Sequence, residues 1–117
     1  MKKIFRILTV LAAIVLPFGA AHAAGENQLK KVEPQYVCMI NNQLFDKVQI
    51  PVTVSGKTYY GCCPMCKEKL EKSAQARTAV DPISNKSVDK ATAVIGADPN
   101  GVVHYFENEK NLQSYGK

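Results

Sequence analysis

The sequence predicts an α+β fold, two small ββα lobes in tandem with the second degenerate. Three observations carry this reading. Apolar residues alternate and then turn back on themselves between residues 48 and 61, a helix-forming run starts at Pro64, and both features recur faintly in the second half. The four cysteines, Cys38, Cys62, Cys63 and Cys66, all fall in the first half.

Taken in order, the chain begins with a basic cluster (Lys2, Lys3, Arg6), an apolar stretch from Ile7 to Phe18 and the small-x-small triplet Ala21-His22-Ala23. This is the pattern of a secretory signal peptide, residues 1–23, cleaved after Ala23, and it predicts a periplasmic protein. The apolar stretch is short for a membrane span, so no stable membrane insertion is expected after cleavage. Removing Lys2, Lys3 and Arg6 lowers the formal charge from +5 to +2 over residues 24–117. Lys67, Lys69 and Lys72 alternate with Glu68 and Glu71, as on a solvated helix face, so nucleic acid is not an expected partner. The remaining 94 residues suffice for one modest core, and chains of this size are often helped by a metal or a disulfide.

Residues 24–35 are polar and aperiodic and read as a flexible leader. Val48, Ile50, Val52 and Val54 alternate with Gln49, Pro51 and Thr53, a half-buried strand that Pro51 confines to an edge or a bulge. Ser55-Gly56 turns the chain, and Thr58 to Tyr60 return as a second strand that delivers Gly61-Cys62-Cys63. Pro64 suits a first helical turn, and the formers from Met65 to Arg77 extend a helix with no internal breaker. Residues 36–78 thus form a cysteine-containing lobe and 79–117 a cysteine-free repeat. Aligning Gly56–Cys62 on Gly101–Glu107, and Val37–Asn42 on Val80–Asn85, places Asp81, Glu107 and Asn111 where Cys38, Cys62 and Cys66 stand.

The spacing C-x23-C-x3-C, with Cys63 beside the second thiol, suits a soft metal ion or a disulfide. Cys62 and Cys63 lie at a helix N-terminus, where the dipole and free N–H groups favour thiolate, and Cys66 is one turn on. Cys38, Cys62 and Cys66 are the expected metal ligands. Three thiolates saturate Cu(I), whereas Zn(II) wants a fourth ligand, from Cys63 or His104; Met39 and Met65 are soft thioethers nearby. Adjacent side chains diverge, so Cys63 is expected to point away from an ion held by Cys62. Copper as Cu(I) is the expected cofactor, with zinc the alternative.

The run Tyr59-Tyr60-Gly61-Cys62-Cys63-Pro64-Met65-Cys66-Lys67-Glu68-Lys69-Leu70 resembles the signature of the YHS and TRASH heavy-metal-binding families. Cys38, Cys62 and Cys66 map onto the three cysteines of that pattern, over about Tyr36 to Leu70. The resemblance implies treble-clef-like lobes and a role in metal trafficking, resistance or sensing, with a protein partner for metal transfer. A non-enzymatic Cu(I) chaperone or sequestration protein is the leading expectation. Two alternatives stand beside it: a protein-interaction module stabilised by structural zinc or disulfides, and a thiol oxidoreductase built on Cys63-Pro64-Met65-Cys66. No nucleophile–base pair or phosphate-binding loop supports other enzymatic chemistry.

Overall fold

The computed structural model describes residues 28–116, so the signal-peptide reading of residues 1–23 lies outside the described residues. Among the described residues the fold is α+β, with four small antiparallel sheets and two α-helices.

The flexible-leader expectation is corrected for residues 28–35. Strand β1 (Lys30–Val32) pairs with β8 (Val94–Ala97) along Lys30–Ala97, Lys31–Gly96 and Val32–Ile95. Leu29 anchors it, buried with Phe106 and Leu112. An edge strand of three residues with two lysines outward carries too little periodicity to be read from sequence, and its order comes from backbone pairing and one buried leucine.

Strands β2 (Val37–Cys38) and β3 (Gln43–Leu44) form a tight knuckle closed by Asn42 at φ 52°, a left-handed conformation that asparagine tolerates better than most residues. The Met39 N–H donates to the Tyr60 carbonyl at 2.9 Å, which fastens this knuckle to the main hairpin. That hairpin is β4 (Ile50–Val54) with β5 (Lys57–Gly61), joined by Ser55 and Gly56, both at positive φ as a two-residue hairpin turn requires. Pro51 is tolerated because β4 pairs with β5 alone.

Helix α1 runs Pro64–Lys72, shorter than the expected extension to Arg77. Ser73 leaves helical geometry, and its hydroxyl accepts the Ala76 N–H at 3.2 Å, opening a 3-10 turn over Gln75–Arg77. The Arg77 guanidinium then reaches back to the carbonyls of Leu70 (2.7 Å) and Glu71 (3.3 Å), satisfying acceptors at the helix end. On the exposed face Lys67 pairs with Glu71 and Lys72 with Glu68, as the charge alternation predicts.

The second half runs β6 (Thr78–Val80), β7 (Ser87–Asp89), β8, β9 (Val103–Phe106) and α2 (Glu109–Ser114). Matching features recur across the halves. Val80 pairs with Ser87 as Val37 pairs with Leu44, and Asn85 takes φ 60° where Asn42 takes 52°. Asn108 caps α2 at φ −155°, ψ 170°, and Cys63 precedes α1 at −155°, 168°. One core joins them: Val37, Met39, Val52, Tyr59 and Leu70 pack with Ile95, Ala97, Val103 and Tyr105, and Tyr60 packs against it. Backbone bonds from Leu44 to Gly101 (2.8 Å) and from Val103 to Asn42 (3.0 Å) stitch the first knuckle to the second hairpin.

Candidate metal centre

The cysteines arrive from two places: Cys38 at the end of β2, and Cys62, Cys63 and Cys66 at the junction of β5 and α1. Gly61 makes that junction possible. A methyl group at 61 would lie 2.9 Å from Cys66 Cβ and 3.3 Å from the Cys66 carbonyl carbon, so only glycine lets strand and helix approach this closely. Gly61→Ala is therefore expected to cost about 1–3 kcal/mol through overpacking and to push Cys66 outward, read as a lower melting temperature together with weaker metal binding.

The sulfurs converge on Cys66. Its Sγ lies 3.9 Å from that of Cys38, 3.6 Å from Cys62 and 3.4 Å from Cys63. The sulfurs of Cys38, Cys62 and Cys66 all lie within 4.8 Å of one another, and all four cysteines are free thiols. Metal–sulfur bonds of about 2.3 Å to one central ion place ligand sulfurs roughly 3.8–4.0 Å apart, in tetrahedral or trigonal arrangement, so this trio can hold a metal ion. Cys38 and Cys66 are buried while Cys62 is partly exposed, which leaves one side of the trio open to solvent. Asn41 Nδ2 donates to Cys62 Sγ at 3.4 Å, a contact to a ligand sulfur that sequence reasoning missed.

Protons are unequally shared. Burial opposes ionisation of Cys38, but the Asn41 N–H, the Cys62 thiol and the Ile40 N–H outweigh it and bring its pKa below the ordinary value. Cys63 is also lowered, first by the Cys66 N–H at the helix start. Cys66 is pushed up to about 12 by burial and then by its hydrogen bonds to Cys63 and Cys62, and Cys62 is raised, chiefly by its bond to Cys38. A metal entering the trio must displace protons from Cys66 and Cys62. Proton release on metal addition, and apparent affinity that climbs with pH through the neutral range, are the expected results of a calorimetric or pH-stat titration.

The reserve ligands stand elsewhere. His104 stacks on Tyr115 at 5.1 Å in the second half and does not join the cluster. Met39 is fully buried in the core, and Met65 is 69% exposed on α1, where it lines a shallow groove with Glu68, Lys69, Lys72 and Ser73. Cys63 is nearer than the divergence argument predicts, touching Cys66 while remaining outside the trio.

At the matching positions of the second half, Asp81, Glu107 and Asn111 also meet. The buried Asp81 carboxylate accepts from the N–H groups of Ile83 (2.7 Å), Ser84 (3.2 Å) and Glu107 (2.8 Å) and from Asn111 Nδ2 (2.9 Å). Four donors saturate it, so hydrogen bonds here join the knuckle to the helix start.

Comparison with protein-family models, with curated proteins and with solved structures found no match. Among the described residues, no helix is long and apolar enough to cross a membrane.

Proposed function

We propose that this protein binds Cu(I) through Cys38, Cys62 and Cys66, as an exported chaperone or sequestration protein of YHS/TRASH type. The observation that carries the reading is a convergent trio of sulfurs with no histidine or carboxylate joining it among the described residues. Three thiolates complete the shell of Cu(I), whereas Zn(II) is left one protein ligand short. The partly exposed Cys62 gives an acceptor's thiol a side from which to displace the protein's own, which fits a carrier better than a closed structural site. Nothing in this chemistry needs turnover of a substrate, so the protein is read as a binder and not an enzyme. An anaerobic, reducing titration against a copper chelator of known affinity, repeated with zinc, tests it. Tight one-to-one Cu(I) binding that zinc cannot displace is expected, and preference for zinc would return the structural reading to the lead.

A second reading draws on the 3.4 Å contact between Cys63 and Cys66, which is close enough to favour a disulfide in an oxidising compartment. A thiol count on protein recovered without air exposure separates the two. Four free thiols with bound copper support the carrier, and two free thiols with no metal support the oxidoreductase or the disulfide-stabilised module.

A further inference from the structure

Lys90 is a charged side chain with no explanation in the fold. It is only 6% exposed, and among the described residues no carboxylate lies within ion-pair distance of it. Its ammonium donates to the Met39 carbonyl at 2.6 Å and to Asn42 Oδ1 at 3.4 Å, and it lies 5.2 Å over the Tyr105 ring. Asn42 Oδ1 also accepts from the Tyr105 hydroxyl at 3.0 Å. These partners are neutral, and a buried cation without an anion beside it is costly. The contacts point to where that anion would be. Lys90 comes from the second half and grips both ends of the turn that follows Cys38, with its ammonium on the carbonyl of Met39, the residue next to that ligand.

We infer that Lys90 is the internal counter-ion of the three-sulfur site, a positioning residue that biases the site toward the more negatively charged metal–thiolate complex. This rests on the metal-binding reading of Cys38, Cys62 and Cys66 and deepens it. Three thiolates with Cu(I) carry a net charge of minus two, and the same ligands with Zn(II) carry minus one. The two complexes differ by one negative charge whatever the protonation of the empty site, so one fixed positive charge beside it raises the ratio of Cu(I) to Zn(II) affinity. The cysteine-free half thus contributes to the site without supplying a ligand.

Lys90→Met keeps the length of the side chain and removes its charge. Asn42→Asp keeps the acceptor for Lys90 and Tyr105, suits the left-handed backbone there, and neutralises the ammonium without deleting it. Cu(I) and Zn(II) affinities of the full-length protein and of both variants would be measured by chelator competition, with apo-protein melting recorded in parallel. Lys90→Met is expected to lower the Cu(I) to Zn(II) affinity ratio about 10-fold, within the usual 10–100-fold scale for groups just behind metal ligands. Asn42→Asp should move the Cu(I) to Zn(II) affinity ratio in the same direction, and it keeps the inference open to refutation should Lys90→Met fail to fold. Equal losses for both ions would show that Lys90 only pins the turn and would overturn the inference, as would no loss for either. Wild-type protein that binds neither ion would instead remove the metal reading on which the inference stands.

Discussion

Cys66→Ser is expected to abolish measurable Cu(I) binding, with Cys38→Ser and Cys62→Ser close behind and Cys63→Ser affecting it least. The order follows from geometry. Cys66 is the sulfur that all three others approach within 4 Å, so its loss removes the centre of the cluster, whereas Cys63 touches Cys66 and stands outside the trio. Binding to a multi-thiolate site is worth about 10–16 kcal/mol in structural zinc sites, so each ligand carries about 3 kcal/mol or more, and its removal costs at least about a hundredfold in affinity. Anaerobic chelator competition on the four variants checks this. Equal loss at all four positions would mean a four-sulfur site and favour zinc, while unchanged affinity throughout would sink the metal reading. Because the thiols are free in the structure and none is needed as a crosslink, the four apo variants should keep melting temperatures within a few degrees of wild type.

Much of this was legible in the chain. Alternation from Ile50 to Val54, the Ser55-Gly56 turn and Pro64 after two cysteines located the main hairpin and the helix start, because each is a local signal whose physics is the same in any fold. Asp81, Glu107 and Asn111, which the sequence register sets against the three cysteines, do meet in space, and Asn42 and Asn85 both take positive φ. What escaped depends on distant partners. Strand β1 is visible only through β8, and α1 stops at Lys72 because the Ser73 hydroxyl and the Arg77 guanidinium bond back to local backbone groups. Lys90 gave no sign either. A lone lysine among Val88, Ala91 and Ala93 reads as a surface residue until the Met39 carbonyl is found at its tip.

Asp81→Ala is expected to be among the most destabilising single substitutions in the chain, at about 3–5 kcal/mol, against a total of roughly 5–15 kcal/mol for a domain of this kind. The carboxylate is fully buried, and removing it strands three backbone N–H groups and the Asn111 amide at once. It also cuts the tie between the second knuckle and the start of α2, which in the first half a bound metal would supply. Asp81→Asn should cost less, because a carbonyl oxygen remains, but its amide then faces donors where an acceptor is needed. The pH dependence carries the sign. Burial opposes ionisation of Asp81, yet the bonds from Asn111, Glu107, Ile83 and Ser84 outweigh it and hold the folded pKa below its ordinary value. The ionised carboxylate therefore contributes its full stabilisation above the unfolded pKa of about 3.9 and loses it as pH falls through the lower folded value. Melting of metal-free, reduced protein at neutral pH and near pH 3 should show a smaller acid-induced drop for Asp81→Asn than for wild type, with the remainder of the wild-type drop coming from Asp89 and Glu109, whose pKa values are also depressed. An identical drop in both proteins would mean that Asp81 is not held ionised by its four donors, and would leave the second half without the tie assigned to it here.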